Sequence, residues 1–406
     1  MPGAGNGAPT SPGRTGRAVA CPAMEDTEVR RLAREVFAPL ARAGTPGRVN
    51  RPLVRALGET GLLGRLFPTP LGGTGGDGVS ATELCRLREA LARECTEAET
   101  ALAVQGLGTY PLVQSGSTEL AQKFVPAVAR GEAVAAFALS EPGAGTDAAA
   151  LALAAEADGD GWRLTGEKIW ISNAPDADLY TVFARTSPDA GARGVTAFVV
   201  SGDAAGLSGE PIDMLAPHAI GRLVFDGVSV GPGDVLGDVN AGFRVAMRTL
   251  DLFRPSVGAF AVGMAAAALD QAVTHAGERR AFGRPIADFQ AVSHTLADMA
   301  TRTQAARLLV HDAARAYDEG RPDMQGRSGD ITRLAAMAKL YATETAQYVV
   351  DAAVQILGAR ALVAGHPLEH LYREVRAPRI YEGTSEIQRT IIARALLHPA
   401  APPEDR

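Results

Sequence analysis

Apolar residues recur at helical spacing from Glu25 to Ala43, where Val29, Leu32, Val36, Phe37 and Leu40 share one face. A second short helix is predicted over Val54–Leu63. Helical periodicity returns over Ser80–Arg93, Ala98–Val104 and Ser117–Ala129. Between these, Pro68 to Gly78 is a glycine-rich loop without the strand-to-helix context and Lys of a phosphate cradle. Near Val134 the pattern becomes alternating and β-branched. The stretches Val134–Leu139, Leu151–Ala157, Trp162–Ser172, Leu179–Arg185, Val195–Val200 and Arg222–Val230 read as strands. The run Asp158-Gly159-Asp160-Gly161 between two of them is a hairpin signal. After Gly237 to Gly242, long helical patterns cover Phe243–Arg279, Asp288–Glu319, Asp330–Leu357 and Leu368–Glu374, with a loop from Gly320 to Gly329 and a short apolar helix over Ile391–Leu397. The expected class is α+β: a helical domain over 24–133, a β domain over 134–240 and a helical domain over 241–398, flanked by tails at 1–23 and 399–406.

Composition narrows the function classes. The 406 residues are 46% hydrophobic and 21% charged, the profile of an ordinary soluble globular protein. A net charge of −6 leaves no basic footprint for nucleic acid. No apolar run approaches the roughly 18–20 residues that span a bilayer, and Ala-rich Val257–Leu269 reads as a buried helix. Cys21, Cys85 and Cys95 lack metal-ligand spacing and form no disulfide framework, and the seven histidines show no metal pattern. No metal is expected, and a reducing cytoplasm fits. The first 23 residues, rich in Gly, Pro, Ala and Ser, read as a disordered tail more than a transit peptide, and Met24 is a possible start.

Five stretches carry candidate chemistry. In Ile380 to Arg389, Gly383 and Thr384 suit a tight passage, and a carboxylate just before it can project into a cavity. Alone, Glu382 would read as a surface-loop carboxylate. Ala138 to Asp147 ends a strand in a Pro-Gly turn rich in hydroxyls and amides, able to meet an anion or a ring edge, or simply to cap itself through Glu141 and Asp147. Lys168 to Ala174 holds Trp170, which in isolation would be a core residue. Asp251 and Arg254 are three apart on a helix, where an ordinary ion pair is the bland alternative. Arg279 to Gln290 contains two adjacent guanidiniums suited to phosphate.

Together these stretches, in this order, resemble the acyl-CoA dehydrogenase family of flavoproteins from about Glu25 to about Leu397. The resemblance implies an N-terminal helical domain, a middle β-barrel-like domain and a C-terminal four-helix bundle. It implies FAD-dependent α,β-dehydrogenation of an acyl-CoA thioester, with Glu382 as α-proton base and flavin N5 as hydride acceptor. Some relatives carry their Glu where Phe253 stands here, which assigns the base to Glu382, and Glu386 on the same stretch is the only nearby fallback.

By the same resemblance, Phe137, Leu139, Ser140, Trp170 and Ser172 would line the flavin. Arg279, Phe282, Gln290, Gln355, Gly358, Thr384 and Gln388 would reach the FAD of a neighbouring subunit, with Arg280 a possible substitute for Arg279. Thr146, Asp251, Arg254, Tyr381 and Gly383 would meet the substrate. A homo-oligomer, a dimer or tetramer, and an electron-transferring flavoprotein as acceptor are implied. Two departures stand out. Ala359 and Ala361 replace glycines in a Gln-x-x-Gly-Gly-x-Gly turn, which implies rearranged or weaker FAD contacts there, and His275 stands where Tyr is common.

Alternatives are a desaturase of a carrier-protein-bound acyl or aminoacyl group, a flavin monooxygenase or oxidase, and an FAD-poor scaffold. Phe253 suggests a short, branched or cyclic acyl group.

Overall fold

In the computed structural model, residues 24–320 and 330–397 are described. The expected tails at 1–23 and 399–406, nearly all of the loop from Gly320 to Gly329, and Cys21 lie outside them. Helix α1 (Asp26–Leu32) continues through a π turn, Ala33–Phe37, into α2 (Ala38–Ala43). Then come α3 (Arg51–Glu59), α4 (Ala81–Ala92), α5 (Thr96–Ser115) and α6 (Thr118–Ala129). Asn50, Ser80 and Ser117 cap α3, α4 and α6 by accepting a backbone N–H with their side chains.

The alternating pattern did predict strands. They are β1 (Ala135–Ala138), β2 (Ala154–Asp158), β3 (Gly161–Ser172), β4 (Leu179–Arg185), β5 (Val195–Ser201), β6 (Leu207–Pro211) and β7 (Ile220–Val230). They form one seven-stranded sheet in the order β1-β4-β2-β3-β7-β6, with β5 on β4. The hairpin is present, Asp158 pairing with Gly161. Strand β6 escaped the sequence reading because it lies at the sheet edge and is mostly exposed, so its residues carry no apolar alternation.

The third unit is built on α7 (Gly242–Glu278), 37 residues long. A small hairpin of β8 (Arg280–Ala281) and β9 (Arg284–Pro285) leads to α8 (Gln290–Asp318) and α9 (Asp330–Leu357), which pack on α7 and each other. Next are α10 (Pro367–Glu374) and α11 (Ser385–Leu397). Contrary to the sequence expectation, α7 is long and apolar enough over one window to cross a bilayer. It is instead the core helix of the molecule, with 89% of that window buried.

Helix α5 is far longer than the 98–104 segment its periodicity suggested, because it runs through Gly106, Gly108 and Pro111. A Cβ on Gly108 would stand 2.6 Å from the backbone N of Ala136, so glycine here lets helix and sheet touch. The seam is closed by buried polar groups. Gln105 donates to the Ala133 carbonyl at 2.7 Å and accepts from the Ala135 N–H at 2.8 Å, while Thr181 donates to the Gly108 carbonyl at 2.8 Å. This seam fixes the helical unit against the strand that leads into the site.

Candidate active site

The site begins with two left-handed residues. Glu382 has φ +53° and Gly383 φ +94°. Positive φ is rare for a residue with a Cβ, and holding it costs about 1–3 kcal/mol, so neighbours must enforce it. The enforcement is visible. Arg254 Nε donates to the Glu382 carbonyl at 3.2 Å, and Lys339 Nζ donates to the Gly383 carbonyl at 2.6 Å. Buried Gln388 donates to both carbonyls, at 3.1 and 3.0 Å. A Cβ on Gly383 would lie 2.7 Å from the Gln388 amide nitrogen. Below the turn, Glu344 accepts from Ser385 at 2.5 Å and Arg379 at 3.0 Å, anchoring the start of α11.

Thus held, the Glu382 carboxylate enters a cavity of about 1560 Å³, where its Oε2 is buried without a hydrogen-bond partner. Burial raises its pKa, against the pull of Arg88, Arg254 and Lys339. Burial also pushes the Lys339 amine down to about 8.

The opposite wall comes from the sheet. Phe137, Leu139, Ser140 and Thr146 line the cavity where β1 gives way to its turn. Strand β3 shifts register against β7 between Lys168 and Ile171, and Trp170 there has φ +59°. The irregularity turns Trp170 outward, 52% exposed, with Ser172 beside it on the cavity wall. Beneath them, fully buried Lys168 donates to Glu141 at 2.8 Å and to the Leu139 carbonyl at 2.9 Å. Glu141 also accepts from the N–H groups of Ala152 and Leu153, so this carboxylate is structural, as the turn reading allowed.

Eleven of the sequence-derived site residues therefore meet around one cavity: Phe137, Leu139, Ser140, Thr146, Trp170, Ser172, Arg254, Tyr381, Glu382, Gly383 and Thr384. Asp251 does not line it. Its carboxylate accepts from Thr332 at 2.9 Å and lies 3.5 Å from Arg254, which makes it a support for Arg254 and not a wall of the site. Gln388 is likewise committed to the turn within its own chain. Arg279, Phe282, Gln290, Gln355 and Gly358 lie exposed and apart from the cavity. In the turn after α9 only Gly358 has positive φ, so Ala359 and Ala361 take ordinary conformations and impose no strain. Among the described residues no cluster of metal-ligand type occurs.

Sequence reasoning missed Lys339, Arg88 and Glu344. Lys339 is a lone cation amid Ala335, Ala336, Ala338 and Ala342, all buried, and Arg88 sits among the buried Leu84, Leu87 and Leu91. A charge on an apolar helix face was the available signal.

Comparison with known proteins agrees with this geometry. Models of the acyl-CoA dehydrogenase N-terminal, middle and C-terminal domains match residues 23–132, 136–228 and 240–397. The chain belongs to the acyl-CoA dehydrogenase family, whose members are FAD-dependent. Among its relatives, cyclohexane-1-carbonyl-CoA dehydrogenase of Geobacter metallireducens is 36% identical over 92% of this chain and 96% of its own length. The mitochondrial short-chain specific acyl-CoA dehydrogenase of Bos taurus is 39% identical over 90% of this chain and 87% of its own. The structure of butyryl-CoA dehydrogenase from Megasphaera elsdenii superposes with a TM-score of 0.84 at 34% identity, covering 92% of this chain and 98% of that one.

Proposed function

We propose that the protein catalyses FAD-dependent α,β-dehydrogenation of an acyl-CoA thioester, with Glu382 as the base that removes the α-proton. The observation that carries this is the Glu382 carboxylate, placed by a braced left-handed turn in a large cavity with one oxygen buried and unpartnered. A group so placed is held ready for a proton that the chain itself does not supply.

The cavity fits the cofactor. Phe137, Leu139, Ser140, Trp170 and Ser172 offer a flat aromatic face, amides and hydroxyls on one wall, opposite the carboxylate. When bound there, FAD supplies the acceptor for the β-hydrogen and its electron pair. Glu382 takes the α-proton, and its backbone N–H has the role of polarising the thioester oxygen. Arg254, Lys339 and Gln388 stop the peptide plane from swinging away. Burial keeps the carboxylate a stronger base than one in water. Thr146, Tyr381 and Gly383 border the substrate, and Thr384 lines the same cavity.

The exposed set Arg279, Phe282, Gln290, Gln355 and Gly358 supports a homo-oligomer, dimer or tetramer, in which each subunit completes the neighbour's FAD site. Phe282 is 95% exposed, touching only the edge of Phe289 with ring centres 6.0 Å apart, an unusual place for a large aromatic. An electron-transferring flavoprotein is the proposed acceptor. The buried free thiols Cys85 and Cys95 support a cytoplasmic location.

Anaerobic titration of the purified protein with a panel of acyl-CoA thioesters tests the reading. Bleaching of the flavin band by at least one member is expected. A yellow protein bleached by none would overturn it in favour of carrier-bound substrates or oxygen chemistry, and a colourless one in favour of a scaffold.

A further inference from the structure

Beyond Glu382, away from the sheet, the cavity wall comes from α4, α5 and α7. Ala103, Val104, Leu107, Phe253 and Phe260 make most of it apolar. Besides Arg254, which braces the Glu382 turn, a second cation is set into this wall. Arg88 lines the cavity although only 3% exposed. Its Nε donates to Glu99, fully buried behind it, and its Nη1 donates to Ser256 Oγ at 2.6 Å. Its guanidinium carbon lies 5.9 Å from the centre of the Phe260 ring. Polar groups gather at the same end of the cavity: Thr100, whose hydroxyl reaches Glu99 at 3.3 Å, His218, which is paired with Glu374 at 2.6 Å, and Tyr381.

Helix packing does not call for this charge. The buried neighbours of Arg88 on α4 are Leu84, Cys85, Leu87 and Leu91, and a Leu or Met would continue that face. Buried ion pairs commonly add no stability over apolar residues of similar volume. An arginine held at a cavity wall is explained if its guanidinium meets part of a ligand. The sign of the wall then selects that part. Glu99 accepts directly from Arg88, so a carboxyl group already faces the guanidinium at this end of the cavity. A ligand carboxylate would bring a further negative charge toward Glu99 and Glu382. A hydroxyl or ketone oxygen can accept from the guanidinium without that repulsion. Phe253, buried against Gly106, closes the space and keeps the acyl group short.

We infer that Arg88 is a specificity-determining residue that reads a neutral oxygen at the distal end of a short acyl group, so that the substrate class is an acyl-CoA bearing a hydroxyl or keto group beyond its β-carbon. This rests on the dehydrogenase reading of the same cavity. A hydrogen bond to a charged donor discriminates by roughly tenfold to a hundredfold against an analogue lacking the acceptor.

The test is kcat/KM for a matched set: pentanoyl-CoA, 4-oxopentanoyl-CoA and glutaryl-CoA, with the anaerobic bleaching of the flavin followed for each. The wild type is expected to favour 4-oxopentanoyl-CoA over pentanoyl-CoA by about tenfold to a hundredfold. The doubly substituted R88M/E99L protein, which leaves no lone buried charge, is expected to lose that preference, read as the ratio of its kcat/KM values for the two thioesters. Equal or better use of pentanoyl-CoA by the wild type overturns the inference, as does a first preference for glutaryl-CoA or a preference that survives the double substitution. If the double variant does not fold, the wild-type ratio decides alone. Bleaching by pentanoyl-CoA without the preference leaves the dehydrogenase reading standing. Failure of all three to bleach, while another thioester does, overturns the inference alone, and failure of every thioester overturns both.

Discussion

At the residue scale, turnover depends on one carboxylate and what surrounds it. Replacing Glu382 by Gln keeps shape and hydrogen bonding but removes the base, so turnover should fall by about 10²–10⁴ with FAD retained. The same substitution has a stability sign. Burial raises the folded-state pKa of Glu382 above its unfolded value, so the protonated form is the better tolerated one, and stability is lost as pH rises through the folded pKa. E382Q should therefore melt no lower than wild type near neutral pH, and higher if the ionised carboxylate is costly. A drop in melting temperature would contradict this.

Lys339 gives a second prediction. It lowers the Glu382 pKa, so K339M should raise that pKa and move the acid limb of kcat/KM upward in pH. An unmoved limb would show that Lys339 is only a backbone brace. Phe253, buried at the cavity wall, gives a third: F253A should extend activity to longer acyl chains, and an unchanged chain-length profile would count against its role as the stop.

At the element scale, the sheet wall rests on a buried ion pair. Lys168 and Glu141 hold the β1 turn against β3, next to the irregularity that turns out Trp170. Removing one member leaves a buried charge alone, so E141A should cost about 3–5 kcal/mol and weaken flavin binding, read by thermal melting and by retained absorbance. A double K168M/E141L substitution should recover most of the stability. If E141A melts like wild type, the pair is not what holds the wall.

Much of the elements' layout was legible in sequence, because burial imprinted its period on them. The bounds of β4 and α9 follow from their apolar patterns. The reach of α5 was not legible. Gly106, Gly108 and Pro111 look like local breakers, and only the approach of β1 and Phe253 explains the glycines. Edge strand β6 left no trace for the opposite reason: it buries too little.

Of the candidate site, the parts carried by contiguous stretches were readable, namely the Glu382 turn, the β1 turn and the Trp170 strand. Lys339 and Arg88 were not, since each acts across more than a hundred residues or from another helix, and sequence spacing says nothing of such meetings. Asp251 stands just behind the wall: its helix faces the cavity through Arg254, while its own carboxylate accepts from Thr332.

At the scale of the whole molecule, the helical units and the sheet share one cavity, and a second group of residues faces outward. In the proposed homo-oligomer, Arg279, Phe282, Gln290, Gln355 and Gly358 would meet another copy. Light scattering of the purified protein should give the mass of a dimer or tetramer of the 42.1 kDa chain. R279A should release FAD more readily without loss of helix content. A monomer that keeps its flavin would contradict the shared-site arrangement.

The most direct test of the central claim is anaerobic rapid mixing of the wild type and of E382Q with one thioester that bleaches the wild-type flavin. Both proteins should stay yellow and bind the thioester, while the bleaching step slows by about 10²–10⁴ in E382Q. Bleaching of E382Q at close to the wild-type rate would mean that another group takes the α-proton, and the assignment of Glu382 would fall.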